Sequence, residues 1–304
     1  MDISNLGSGF EQVVDDAIGE LQPVPDSGIA VAVIKNGQVQ FARGYGFRDR
    51  AARAKVDSDT CFAIGSATKA FTSLAILMHV EENKLDLSVP IKQYLADFNM
   101  RDPQAAAQMT LQDILCHRTG LPRHDALWYL GPFTRSQLFY RLPYLKGLPG
   151  AFRQAFQYNN LMYTVAGNLL DNLFGTSWED VVQSRILDPV GMADSNFKLS
   201  DLTGRHNHAK GYVKGQELPL KDVTNIGPAG EINSTALDMA KWLQLFLNKG
   251  VTSTGAAIIS PASLDKMFTG LIDAGNGVRY GLGWFVHQID GKRLIFHEGD
   301  TDGN

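Results

Sequence analysis

Apolar positions fall along this chain in two periods, and the alternation between them predicts its elements. Phe10, Val13, Val14, Ala17, Ile18 and Leu21 share one face at helical spacing, so an amphipathic helix opens the chain. After Pro23 and Pro25 comes an unbroken apolar run over 29–34, then Asn36-Gly37, then Val39, Phe41 and Ala42. Asn-Gly between two apolar runs predicts a β-hairpin. Over 71–80 the pattern turns helical, with Phe71, Leu74, Ala75, Ile76, Leu77 and Met78 leaving little polar circumference. Such a helix belongs in the centre of a core. Helices are further expected at 111–116, 136–140, 161–174, 178–187 and 236–247, the last carrying Met239, Trp242, Leu243, Phe246 and Leu247 on its apolar positions. Strand patterning returns over 280–286 and 294–296, with a turn at Asp290-Gly291.

Strands at both ends with helices between them imply an α/β (α+β) architecture, an antiparallel sheet flanked by helices. The expected division is a discontinuous sheet domain over 1–64 and 205–304, with a mainly helical insertion over 65–204. The last hairpin is apolar, and such an edge is normally paired or covered. A further C-terminal fragment of the same protein is therefore an expected partner.

Composition narrows the function classes. The 304 residues are 44 % hydrophobic and 20 % charged, with 28 Lys+Arg against 32 Asp+Glu for a net charge of −4. That balance offers no electrostatic footprint for nucleic acid. No run of 18 apolar residues occurs, so no membrane span is expected. The first twenty residues lack a basic start and an apolar core. No export signal is visible, so the cytoplasm is the expected location, or the periplasm or the cell exterior if the chain is a trimmed mature form. Cys61 and Cys116 are the only cysteines, too few for a disulfide scaffold or a zinc ribbon. His297-Glu298 lacks the second histidine of a H-E-x-x-H site, and His206-Asn207-His208 reads as a solvated loop, so no metal or other cofactor is expected.

The candidate chemistry is nucleophilic. No G-x-S-x-G occurs, but Ser-x-x-Lys occurs three times, at Ser66–Lys69, Ser195–Lys198 and Ser263–Lys266. On a helix this spacing sets hydroxyl and amine one turn apart on one face. Ser195 follows a polar stretch and Ser263 follows Pro261 on a surface helix, so both read as solvated. Ser66 sits where Ile64-Gly65 passes into the buried helix, at an N-terminus that favours developing negative charge. Tyr158-Asn159-Asn160 is the one Tyr-x-Asn among nine tyrosines, and His297-Glu298-Gly299 the one His-x-Gly among seven histidines.

Together these motifs resemble the Ser-x-x-Lys serine hydrolases: class C β-lactamases, serine DD-peptidases, D-aminopeptidases and β-lactamase-like (CubicO-like) esterases. Phe62-Ala-Ile-Gly-Ser-Ala-Thr-Lys69, the segment 109–122, Pro228-Ala-Gly230 with Ser234-Thr235, and Tyr280-Gly-Leu-Gly-Trp284 extend the likeness from about residue 28 onward, in family order. The resemblance implies a β-lactamase/transpeptidase-like fold whose C-terminal strands and helix are expected beyond the present sequence. It further implies Ser66 as acylated nucleophile, with Lys69 and Tyr158 as a coupled proton-handling pair. Asn160 is implied to bond Lys69 or the substrate amide, and His297 to orient Tyr158 or support the leaving group. Gly299 and Asp300 follow in the third motif, the backbone N–H groups of Ser66 and Asp300 forming an oxyanion hole.

Glu298 and Asp300 stand where enzymes acting on carboxylate-bearing β-lactams and D-Ala-D-Ala peptides commonly carry Thr or Ser. Like charges about 6 Å apart at an effective dielectric near 20 repel by roughly 3 kcal/mol. Strand alternation would put both side chains on the face opposite His297. The expected activity is therefore that of an esterase, or of an amidase or peptidase for neutral or amine-bearing substrates. A β-lactamase or DD-carboxypeptidase, a non-catalytic penicillin-binding-like protein, and acyl transfer to an alcohol or amine are the alternatives.

Overall fold

The computed structural model describes residues 10–20 and 28–303. Helix α1 (Phe10–Glu20) half-buries Val13, Val14 and Ile18 but leaves Ala17 exposed, while Leu21 and the side chain of Phe10 lie outside what is described. Its Asp15 accepts from Arg43 at 2.8 Å and from the Tyr45 hydroxyl at 2.5 Å. This helix is therefore tied to the neighbouring strand as much by charge as by its apolar face.

Strands β1 (Ile29–Lys35) and β2 (Gln38–Tyr45) pair antiparallel around Asn36-Gly37, both residues holding positive φ, 53° and 71°. Such a turn follows the right-handed twist of the strands it joins. Short strands β3 (Phe47–Asp49), β4 (Ala54–Lys55) and β5 (Phe62–Ala63) follow. Helix α2 (Thr68–Glu81) is buried from Thr68 to His79 on every face, as its sequence requires. Phe71 stacks on Trp242 at 3.8 Å, and the Trp178 indole N–H donates to the Thr72 hydroxyl at 2.9 Å. Each fully buried Leu or Phe of this helix contributes about 1.5–3 kcal/mol.

Short helices succeed it: α3 (Pro103–Gln108), α4 (Leu111–Leu115), α5 (Asp125–Tyr129) and α6 (Arg135–Phe139). Then come α7 (Asn160–Phe174), α8 (Trp178–Val182), a π-turn over 183–187, α9 (Asp188–Val190) and α10 (Leu199–Gly204). Strands β6 (Gly211–Val213) and β7 (Gln216–Leu218) form a small hairpin. Helix α11 (Gly227–Gly230) precedes β8 (Asn233–Ser234), which pairs with β5 across 170 positions of sequence, Phe62 facing Ser234 and Ala63 facing Asn233. Helices α12 (Ala236–Leu247) and α13 (Pro261–Met267) lead to the antiparallel sheet β12-β11-β10-β9, built from β9 (Ile272–Gly275), β10 (Val278–Tyr280), β11 (Phe285–Ile289) and β12 (Lys292–Phe296).

Two expectations need correction. The strand read over 280–286 is two strands, because Gly283 at φ +79° turns the chain and Tyr280 pairs with Phe285. Tyr280, Leu282, Trp284 and Val286 are buried on both sides of that glycine, so the apolar pattern runs on through the turn. The supposed alternation through Glu298 and Asp300 also fails, since pairing stops at Phe296 and the chain beyond is extended loop. Among the described residues, no helix is long and apolar enough to cross a membrane.

Candidate active site

The site is built where three distant segments meet the first turn of α2. Gly65 holds φ +49°, and a Cβ there would come 2.9 Å from the Asp300 amide nitrogen. Across from it, a side chain on Gly299 would collide with the Ile64 carbonyl. Both glycines are thus needed for the chain at 299–300 to run hard against 64–66. Their contact carries His297 and Asp300 to the serine.

Ser66 lies in a 3₁₀ turn over Gly65–Ala67, and its hydroxyl is spent on no helix cap. One turn on, Lys69 is fully buried. Its Nζ stands 2.9 Å from Ser66 Oγ, 2.8 Å from Asn160 Oδ1 and 2.8 Å from the Ala229 carbonyl oxygen. Burial, and next the cation of Arg123, hold this amine well below the ordinary lysine value, with Asp125 opposing. As a neutral amine it donates its two protons to the Asn160 and Ala229 oxygens. Its lone pair is then left facing Ser66.

The Tyr158 hydroxyl is hydrogen-bonded with that of Ser66, and burial raises this phenol above its ordinary value. Its ring lies beneath the Lys69 amine at 4.7 Å and beside the Arg123 guanidinium at 5.2 Å. Asn159, the residue between the two motif members, caps α7: its side chain accepts from the Met162 N–H at 3.0 Å and donates to Leu121 and Pro122 carbonyls. That cap delivers Asn160, at the first helical position, to Lys69. The Asn160 amide also donates to Asp125 Oδ1 at 3.4 Å.

His297 comes close to Tyr158 with different bonds from those expected. Its ring centroid lies 6.3 Å from that of Tyr158, but its nitrogens are taken by the Tyr280 hydroxyl at 2.9 Å and the Glu298 carbonyl at 2.6 Å. The carbonyl requires a proton on Nδ1, so Nε2 accepts from Tyr280. Burial, and next the Lys69 charge, push this imidazole down to about 3, which keeps it neutral at ordinary pH.

The cleft above Ser66 has a volume of about 270 Å³, and Trp128, Phe197 and Leu202 are among its apolar lining. Asp300 lines it and Glu298 does not. Among the described residues the Asp300 carboxylate has no hydrogen-bond or ion-pair partner. Glu231, on the cleft's far wall, packs toward Arg135 at 3.5 Å. Burial and its hydrogen bond with Glu179 raise its carboxyl to about 9.

The other two Ser-x-x-Lys segments are not solvated as expected. Ser195 is buried and bonds Ser234 at 2.8 Å and Asp238 at 3.0 Å. Ser263 is buried within α13, one turn after Ser260, whose hydroxyl caps that helix. In both, the lysine is exposed. His208 is half-buried rather than solvated and bonds the Arg205 carbonyl at 2.6 Å. Sequence reasoning missed Arg123 and Asp125, which lie in no motif, Arg123 in the loop before α5 and Asp125 at its first position. It quoted the segments holding His117, Ala229 and Tyr280 without giving those residues a task, although their place inside the matching segments was a usable signal.

Comparison with known proteins places this geometry in context. The family model described as Beta-lactamase matches residues 20–304. The protein called Unguisins hydrolase ungD, from Aspergillus violaceofuscus, is 32 % identical over 99 % of this chain and 58 % of its own length. Protein flp of Staphylococcus aureus is 26 % identical over 98 % of this chain and 60 % of its own. The chain thus spans rather more than half the length of these curated relatives. Among solved structures, an octameric penicillin-binding protein homologue from Pyrococcus abyssi superposes with a TM-score of 0.80 at 27 % identity, covering 99 % of this chain and 68 % of its own. D-amino acid amidase from Ochrobactrum anthropi shares the fold, with a TM-score of 0.75 at 23 % identity over 97 % of this chain and 84 % of its own. The architecture is the β-lactamase/transpeptidase-like fold, mixed helices with antiparallel sheets.

Proposed function

We propose that this chain, which belongs to the Beta-lactamase family, is a serine hydrolase that cleaves esters or amides through an acyl-enzyme on Ser66. One observation carries the reading: a fully buried lysine amine held by Asn160 and Ala229 with its remaining valence on the serine hydroxyl. A lysine kept neutral by burial is a base at ordinary pH. Ser66 Oγ bonds to the acyl carbon as its proton passes to Lys69 Nζ. The backbone N–H groups of Ser66 and Asp300 receive the oxyanion. Removing one such donor typically costs about 10²–10³ in rate. The bond to the leaving group breaks as that group takes a proton through the neutral Tyr158 hydroxyl, and water then releases the acyl group by the reverse path. His297, bonded to Tyr280, acts as a neutral buttress to this wall of the cleft.

The same cleft favours substrates without an anionic group near Ser66. The free carboxylate of Asp300 disfavours a substrate carboxylate by roughly 3 kcal/mol at about 6 Å, and the same term attracts an ammonium. Neutral esters and amine-bearing amides, D-amino-acid amides included, are the proposed class. The test is side-by-side hydrolysis of p-nitrophenyl butyrate, D-Ala-p-nitroanilide and nitrocefin, with fluorophosphonate labelling. Turnover of the ester or anilide, with labelling at Ser66, is expected. Nitrocefin as the best substrate would overturn the substrate class, and absent labelling would overturn the mechanism in favour of a binding protein.

A further inference from the structure

His117 is fully buried beside the site, and no step above uses it. It follows α4 in the left-handed region, φ +60°, a conformation uncommon for any residue but glycine and asparagine. Two of its groups reach the same short segment. Its backbone carbonyl accepts from the Gln157 N–H at 2.7 Å, and its ring Nδ1 accepts from the Asn159 N–H at 3.2 Å. The residue between those two donors is Tyr158. The imidazole also packs directly on that phenol, with ring centroids 4.3 Å apart, and on Tyr280 at 4.9 Å.

The second ring nitrogen completes the argument. Because Nδ1 accepts, Nε2 carries the proton, and this buried N–H has no hydrogen-bond partner among the described residues. A buried unpaired donor costs free energy that an apolar side chain of similar shape would not incur. A phenylalanine would fill the volume, yet would lose the acceptor for Asn159.

We infer that His117 is a positioning residue for Tyr158: its carbonyl and Nδ1 fix the chain on both sides of the phenol and its ring sets the phenol's plane. The inference rests on the reading of Tyr158 as the proton relay to and from Ser66. Chain displacement on either side of Tyr158 moves its hydroxyl relative to Ser66, while Asn160, the nearby residue that lines the cleft, keeps the hold of the Asn159 cap and of Lys69.

The experiment compares His117→Phe, which keeps the ring and loses the acceptor, with His117→Asn, whose side-chain oxygen replaces Nδ1 and which tolerates the left-handed backbone. With p-nitrophenyl butyrate, the Phe variant should lose about tenfold or more in kcat, the equivalent of roughly 1.4 kcal/mol, with KM nearly unchanged. The Asn variant should recover most of that loss. A parallel readout independent of turnover is the NMR resonance of ¹³Cζ-labelled Tyr158, displaced in the Phe variant and restored in the Asn variant. If the Phe variant does not fold, His117→Gly removes ring and acceptor together while suiting the backbone, and the same kcat loss is expected of it. A folded Phe or Gly variant with wild-type kcat and an unmoved Tyr158 resonance overturns the inference. An inactive wild-type protein overturns the catalytic reading instead. The resonance then judges His117 alone: unmoved overturns the fixed phenol, displaced and restored supports it.

Discussion

The turns at Ser66–Lys69 and Ser263–Lys266 carry the same four-residue pattern in a helical setting, and they differ in what surrounds the lysine. At the start of α2 the lysine is buried, and beside Ser66 its two other partners come from segments 91 and 160 residues away. On α13 the serine is buried and the lysine points to solvent. An ammonium in water is solvated and keeps its proton. One enclosed in protein must either find counter-charge or shed it. The pattern supplies spacing; burial supplies basicity.

The sharpest way to break this comparison is to remove each hydroxyl in turn. Ser66→Ala should lower ester turnover by about 10⁴-fold or more and abolish fluorophosphonate labelling, while Ser263→Ala leaves both intact. Labelling that survives in Ser66→Ala would dissolve the distinction.

Replacing the lysines comes next. Lys69→Met should cost about 10²–10⁴ in kcat, the range of a lost proton acceptor, and Lys266→Met nothing measurable. Stability separates them again. The unfolded Lys69 keeps its proton up to about 10.5, whereas the folded one has shed it at lower pH. The unfolded state therefore binds more protons in that interval, and wild-type stability climbs with pH by about 1.4 kcal/mol per unit. Lys69→Met lacks this climb, so thermal melts should show its advantage over wild type shrinking as pH rises toward 10.5.

A third buried group tests the rule with opposite sign and the smallest effect. Folded Glu231 holds its proton up to about 9, while the unfolded carboxyl gives it up near 4.5. The folded state then binds more protons, so this group's contribution falls as pH rises from 4.5 to about 9. Glu231→Gln should flatten that fall, raising Tm at pH 9 by about 2–4 °C relative to wild type for each 1 kcal/mol recovered. A Gln variant whose melting follows the wild-type pH profile would remove Glu231 from the account.

Local pattern carried much of the architecture. The hairpin at Asn36-Gly37 and the helix over 236–247 form where periodicity put them, because their signals lie within one turn or one heptad. The helix over 178–187 divides into an α segment and a π-turn, and 280–286 divides at Gly283. In both, buried apolar residues continue across the break into the same core, and composition cannot register the break. Of the motif residues, Ser66, Asn160 and Asp300 line one cleft, Lys69 and Tyr158 bond Ser66 behind it, and His297 packs near Tyr158. Their order in the chain suggested this grouping, and their bonds did not follow from it.

By itself the sequence determined which residue types were available, their spacing on helices, and the two glycines that let 299–300 lie against 64–66. Only the tertiary structure decided which of three serine–lysine pairs has a buried amine, that His297 spends its nitrogens on Tyr280 and Glu298, and that Asp300 lines the cleft with its carboxylate unpaired among the described residues. Those are properties of desolvation and of contacts between segments far apart in sequence. They exist only once the chain has closed around them.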